Sequence, residues 1–388
     1  MTSERESLSI YRVSPLIGGI LSLAVAMGIG RFAYTPLLPA MQQQLHWSLA
    51  FAGLVASANY GGYLLGALTA GALPLSARWT RLSWAATALL VVSFSVMAMG
   101  LTGNAFWWLI WRVLAGVFSA WAQVFVSSLV LDWLATHGQE QRAGMLYAGV
   151  GSGIVLTGLL GPWWAQIGGW RIGWIGLGLV GVTLSVAAVL SMRPLVAPAA
   201  TAKRRALPSS GESLKLWGLI TAYGLEGLGY IIMATFITQF FRSAGQMLGD
   251  ISWILVGLAA IPSTILWARA AQRWGGRTAL LAAYGIEAVG VLLPALGAND
   301  AIAIVSALLF GGTFMAIAAL GLVSARKAAP ASSHRVIAAM TAAFGLGQII
   351  GPLGAAALAR NPQGLNITLL GSALLLGVAM IILRATWH

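Results

Sequence analysis

The sequence predicts an all-α integral membrane protein, with twelve helices arranged as two pseudo-symmetric six-helix bundles. Three observations point there. Of its 388 residues, 59% are hydrophobic and only 8% charged, whereas a water-soluble domain carries roughly a quarter charged residues. Apolar stretches of ~20 residues recur along the chain, each able to cross a hydrocarbon core of ~30 Å at ~1.5 Å per residue. Motifs from the first half also reappear in the second at a nearly constant offset. In lipid a spanning segment must satisfy its own backbone, which leaves helices or closed barrels. The period-two alternation of barrel strands is missing, so helices are the reading.

Spans are expected at 14–43, 49–75, 83–102, 105–134, 141–166, 170–192, 214–242, 250–272, 277–297, 300–325, 334–359 and 365–386. Trp47, Trp107, Trp108, Trp133, Trp163, Trp164, Trp170 and Trp387 fall near their ends, as an interfacial aromatic belt requires. The first span does not read as a secretory signal, because it is long and carries Arg31 and two prolines in place of a small-residue cleavage site. Residues 194–213, rich in Pro, Ala, Ser and basic side chains, read as a linker. They divide the chain into an N-terminal bundle, 1–193, and a C-terminal bundle, 214–388.

The net charge of +13 does not require nucleic acid as a partner. Of the 22 Lys and Arg, Arg171, Arg242 and Arg360 fall on one side and Arg31 and Arg112 within helices, leaving 17 on the other side. That asymmetry is a positive-inside pattern, with both termini and the linker expected in the cytoplasm of a bacterial inner membrane. The chain has no cysteine, and its histidines, at 46, 137, 334 and 388, lie at loops or ends. Thiolate metal sites and an intramembrane hydrolase are therefore not expected. No G-x-x-x-x-G-K-[ST] segment occurs, so neither ATP-driven chemistry nor a bound cofactor is expected.

The internal repeat carries the most functional information. Arg78-Trp79-Thr-Arg81 has its counterpart in Arg273-Trp274-Gly-Gly-Arg277, an offset of 195 from Arg78 to Arg273. Gly161-Pro162 matches Gly351-Pro352 at an offset of 190, and Arg31 aligns with Tyr230 at 199. Paired six-helix repeats place a binding site near the bilayer midplane between the halves.

On these residues the chain resembles the major facilitator superfamily. Arg78 and Arg81 match basic positions of that family's loop G-x-L-x-D-R-x-G-R, while Leu73, Ala77 and Thr80 replace its Gly, Asp and Gly. Arg112-Val-Leu-Ala-Gly116 resembles the R-x-x-x-G motif associated with proton coupling, and Gly161-Pro162 an antiporter motif. More narrowly, Gly28-Ile-Gly-Arg31-Phe-Ala-Tyr34-Thr-Pro36-Leu-Leu-Pro39 and Tyr223-Gly-Leu-Glu226-Gly-Leu-Gly-Tyr230 are similar to the YbfB/YjiJ-like branch. The resemblance implies a major-facilitator fold and a monomeric secondary transporter. Such a protein would move a small organic solute by alternating access, with proton-coupled efflux expected ahead of uptake or of a non-transporting sensor.

Charge at membrane depth costs at least ~2.5–3.5 kcal/mol and marks candidate functional residues. Arg31 and Tyr34 share a face of the first span, and Pro36 and Pro39 are expected to kink it. Arg31 reads as a cavity cation for an anionic group or a carboxylate, or else as a lock to a neighbouring helix. Glu226 shares a stripe with Tyr223 and Tyr230 and is the natural partner of Arg31; it reads either as a proton carrier, charged or protonated as substrate competes for that arginine, or as half of a static ion pair. Arg112 heads a line of Gly116, Ser119, Gln123 and Ser127 that faces either a cavity or a packed helix. Asn59, Tyr63 and Gln348 can hydrogen-bond substrate or bridge helices. Glu287 reads as structural. Arg78, Arg81 and Asp132 share one membrane face; the resemblance implies that salt bridges among them hold a cytoplasmic gate, and ordinary surface charge is the alternative. Coupling to protons is expected over sodium, for want of clustered oxygen ligands.

Overall fold

The computed structural model describes residues 15–76, 79–195, 213–243, 245, 249–297, 299–329, 333–358 and 363–387. All regular structure among them is helical. In chain order the helices are α1 (Pro15–Leu45), α2 (Leu49–Thr69), α3 (Arg81–Leu101), α4 (Ala105–Thr136), α5 and α6 (143–167 and 170–192), α7 (Ser213–Ser243) and α8 (Gly249–Trp274). They continue with α9 (Gly276–Leu296), α10 (Asp300–Ala328), α11 (Ser333–Leu358) and α12 (Gly364–Thr386). Ten stretches are long and apolar enough to cross a bilayer. α5 and α6 form one of these, Glu140–Met192, divided by non-helical backbone at Gly168 and Gly169. α2 falls outside the ten because Asn59, Tyr60, Tyr63 and its glycines dilute its apolar run. Most of the expected linker and Arg78 lie outside the described residues.

The turn between α5 and α6 shows how local chemistry sets a boundary. Gly169 has φ +77°, a left-handed conformation that glycine adopts without a Cβ penalty. The Trp170 amide beyond it donates to Gln44 Oε1 at 3.1 Å, tying the turn to the end of α1. Trp108 packs edge-on to Trp47 and Trp170 at 4.7 and 5.6 Å. Trp108 and Trp170 are buried, so this part of the expected interfacial belt is an internal plug instead; Trp107 and Trp163 stay exposed.

Within α1–α6, α2 packs on α4 and α1 on α5; within α7–α12, α7 packs on α11 and α12. Between the two sets α2 meets α11, α5 meets α8, and α1 meets α7. Small residues make the approaches close. A Cβ added at Gly28 would strike the Gly153 backbone, and one at Gly151 would meet the carbonyl of Gly257. Gly149, Gly151 and Gly153 of α5 are therefore contact points of backbone on backbone, as lipid-embedded helices use them.

Hydrogen bonds between the two sets concentrate toward the later residues of α1 and α7. Thr35 Oγ1 donates to the Ala234 carbonyl at 2.6 Å, and Thr238 Oγ1 to the Thr35 carbonyl at 2.7 Å. Ser57 Oγ donates to the Ile349 carbonyl at 2.9 Å, and the Tyr60 and Thr235 hydroxyls lie 3.0 Å apart. Toward the other end Thr264 Oγ1 donates to the Gly144 carbonyl at 2.9 Å.

Candidate functional site

Arg31 sits where α1 is least regular. Residues Ala24–Ile29 form a π turn, and regular helix resumes at Tyr34. The Gly30 amide donates to the Val25 carbonyl at 2.8 Å and the Phe32 amide to Met27 at 3.1 Å, the wide i→i+5 pattern often found at functional sites. The irregularity runs up to Ala33, just before Pro36, on the side where a proline frees the carbonyl four residues back. Side chains from α2 and α4 serve the opened stretch. Arg112 Nη1 and Nη2 donate to the carbonyls of Gly30 and Arg31 at 3.3 and 3.4 Å, and its Nε to Val55 at 3.5 Å. Asn59 Nδ2 donates to the carbonyls of Arg112 and Gly30 at 3.0 and 3.4 Å.

This irregular segment borders a cavity of about 140 Å³ between the two sets of helices. α1, α2, α4 and α5 contribute Met27, Arg31, Phe32, Tyr63, Gln123 and Tyr147. α7, α10 and α11 contribute Tyr223, Tyr230, Phe314, Met315, Thr341 and Phe344, among others. The cavity lies on the side of the earlier residues of α1 and α7, away from the four hydrogen bonds around Thr35 and Thr238.

Arg31 is 2% exposed, and its Nε and Nη2 have no hydrogen-bond partner. Its guanidinium carbon lies 4.1 Å from the Tyr63 ring centre, 5.3 Å from Tyr60 and 5.5 Å from Phe32, so aromatic faces hold the cation. The Tyr63 hydroxyl donates to Gln123 Oε1 at 2.7 Å, which fixes that ring. Across the cavity Tyr230 accepts a hydrogen bond from Gln348 Nε2 and stacks near Phe314 and Phe344, with centroids 5.9 and 5.3 Å away.

The candidates therefore separate. Arg31, Tyr63, Gln123 and Tyr230 line one cavity. Gln348 is fully buried behind Tyr230, and the Tyr34 hydroxyl donates to the Ala52 carbonyl at 2.8 Å, joining α1 to α2. Arg112 and Asn59 hold the α1 carbonyls and stand outside the lining. Glu226 is also outside it and makes no ion pair with Arg31, the described ion pair being Arg81–Asp132. At 3.6 residues per turn Tyr223 and Tyr230 fall on one line of α7, with Glu226 about 40–60° off it. That rotation carries its carboxyl to Glu287 of α9, beside Thr313 at the interruption of α10. Both carboxyls are fully buried, and none of their oxygens has an aligned hydrogen bond. Arg81 and Asp132 meet at 2.6 Å, joining the start of α3 to the end of α4 within the same set of helices.

The aromatic wall of Phe32, Tyr147, Phe314 and Phe344 was not among the site residues expected from sequence. Tyr147 and Thr341 offered the available signal, as polar side chains inside apolar spans.

Residues 23–384 match the model of the family described as "Uncharacterised MFS-type transporter YbfB". The chain belongs to this YbfB-type branch of the MFS transporters. The motifs of α1 and α7 implied that membership. Among curated proteins, the "Uncharacterized MFS-type transporter YhhS" of Salmonella enteritidis PT4 is 28% identical over 217 residues, covering 54% of this chain and 52% of the relative. Its counterpart in Escherichia coli K12 is 26% identical over 216 residues, 55% and 51% of the two chains. The matches span about half the length of these curated relatives. Among solved structures, the nucleoside transporter NupG superposes with a TM-score of 0.73 at 16% identity, covering 97% of this chain and all of that one. A bacterial homologue of the lysosomal transporter Spinster, inward-facing and occupied, gives 0.68 at 15%, covering 97% of each. At such identities the likeness is one of fold.

Proposed function

We propose that this protein is a secondary active transporter with twelve spans, its α5–α6 stretch counting as two and α2 as one. It moves a small organic solute through the Arg31 cavity by alternating access between residues 1–193 and 214–388. The observation that carries this is a cavity lined from both sets of helices and closed at one end by hydrogen bonds running between them. The positive-inside charge supports placing both termini in the cytoplasm, so the cavity lies on the cytoplasmic side and the Thr35–Thr238 end faces out. The protein works as a monomer in the inner membrane. Coupling is to protons, held by Glu226 together with Glu287, because two adjoining carboxyls in an apolar interior retain a proton between them. Arg31 then binds solute without competing for Glu226. The Gly161-Pro162 segment, similar to an antiporter motif, supports export. Arg81 and Asp132 brace the cytoplasmic end within the first six helices.

Proteoliposomes with an imposed pH gradient test this reading. Gradient-driven flux of solute is expected in the export sense, and Glu226→Gln is expected to abolish gradient dependence while leaving exchange at equilibrium. Gradient-driven flux that survives Glu226→Gln unchanged removes Glu226 from the mechanism.

A further inference from the structure

We infer that the cavity binds a planar, single-ring aromatic carboxylate, with the carboxylate on Arg31 and the ring against the aromatic wall. The inference rests on the transport reading for its biological sense, but it concerns binding and stands or falls separately.

Three observations on the same cavity carry it. The first is charge: among the described residues Arg31 is the single charged side chain in the lining, and no carboxylate accompanies it. A buried cation lacking a partner anion is unfavourable, and a ligand carboxylate would complete the pair. The second is the shape of the cation. Arg31 borders the cavity, and a guanidinium is a planar fork of N–H groups that matches the two oxygens of a carboxylate. A lysine at this position would offer a point charge and no such fork. The third is the shape and chemistry of the remaining wall. The Tyr230 ring is within 8° of parallel to Phe314 and within 19° of parallel to Phe344, an alignment suited to stacking a flat ring. At about 140 Å³ the cavity is close to the ~150 Å³ apolar cavity known to hold benzene. A single ring therefore fits. Gln123 and Thr341 add polar groups to the same wall, giving a ring hydroxyl two places to bond.

The test is direct binding to the purified, intact protein in detergent by calorimetry, with benzoate, 4-hydroxybenzoate, cyclohexanecarboxylate, benzamide and 1-naphthoate as probes. Benzoate and 4-hydroxybenzoate are expected to bind. Benzamide, which lacks the charge, and 1-naphthoate, which lacks the fit, are expected to bind at least tenfold more weakly, and cyclohexanecarboxylate severalfold more weakly. Arg31→Lys is expected to lose at least tenfold in benzoate affinity. Should that variant fold poorly, Ala319→Phe fills the same cavity with Arg31 intact and is expected to abolish binding; gel filtration checks both. Undetectable benzoate binding, or benzamide binding as tightly as benzoate, overturns the inference. Equal affinity of the wild type and the Ala319→Phe variant does so too. A solute of another class that is transported and displaces no benzoate leaves the transporter standing and the inference refuted. Benzoate binding without flux of any probe supports the site and counts against transport.

Discussion

The guanidinium of Arg112 spends its donors on the carbonyls of Val55, Gly30 and Arg31, while that of Arg31, on the stretch so held, leaves Nε and Nη2 unused. The same residue type thus meets opposite needs a few ångströms apart, and substitutions should separate them. Arg112→Gln withdraws charged hydrogen bonds, each worth about 1.5–3 kcal/mol. It is expected to lower the thermal midpoint in detergent and the yield of folded protein, with activity lost only in proportion. Arg31→Gln withdraws a buried charge that aromatic faces, and no carboxylate, hold, so its midpoint is expected to fall less than that of Arg112→Gln while transport disappears. Parallel melts and flux assays of the two variants check this, and equal destabilisation of both would refute the division. From sequence the two arginines looked alike, both intramembrane and both beside small residues. What distinguishes them is which carbonyls lie within reach, and that depends on the pairing of α1, α2 and α4 in space.

At the level of elements, most helix positions were legible because length and hydropathy answer directly to bilayer thickness. The interior of α1 was not. Pro36 and Pro39 marked α1 as irregular, but did not show that a π turn at Ala24–Ile29 precedes them. The proline rule concerns a missing donor within one helix, whereas the Ala26, Gly30 and Arg31 carbonyls are met by Ser119, Asn59 and Arg112 from two other helices. Glu226 escaped for a related reason: its stripe on α7 was correct in periodicity, but α7 is packed on several sides. The glycines of α5, legible only as a motif, have a mechanical meaning in the contact of Gly153 with Gly28. Gly153→Leu would drive a side chain into the α1 backbone and is expected to cost about 1–3 kcal/mol or more, as overpacking does. Gly71→Ala, with no neighbour within 4 Å, should be neutral in the same thermal assay.

For the whole molecule, the balance between conformations rests on the bonds joining the two sets of helices at the Thr35 end. Neutral hydrogen bonds contribute about 1 kcal/mol each, so the four together are worth about 4 kcal/mol. Reversing a 1:99 population takes about 5.5 kcal/mol, so this closure is strong enough to set the resting state and, on the proposed function, weak enough for solute and proton to undo. The chain has no cysteine, so spin labels can be placed without clearing a background. With labels on either side of that end, Thr35→Val combined with Thr238→Val is expected to raise the separated population severalfold in pulsed distance measurements. An unchanged distribution would show that packing alone holds the end closed. Three of the four bonds end on main-chain carbonyls, at Ala234, Thr35 and Ile349. A carbonyl is supplied by any residue that keeps its helix, so mutation at positions 234 and 349 is free to drift without a matching change across the seam. Inheritance should constrain the donors at 35, 57 and 238 without their partners, and residue covariation across this closure is expected at the side-chain pair Tyr60–Thr235.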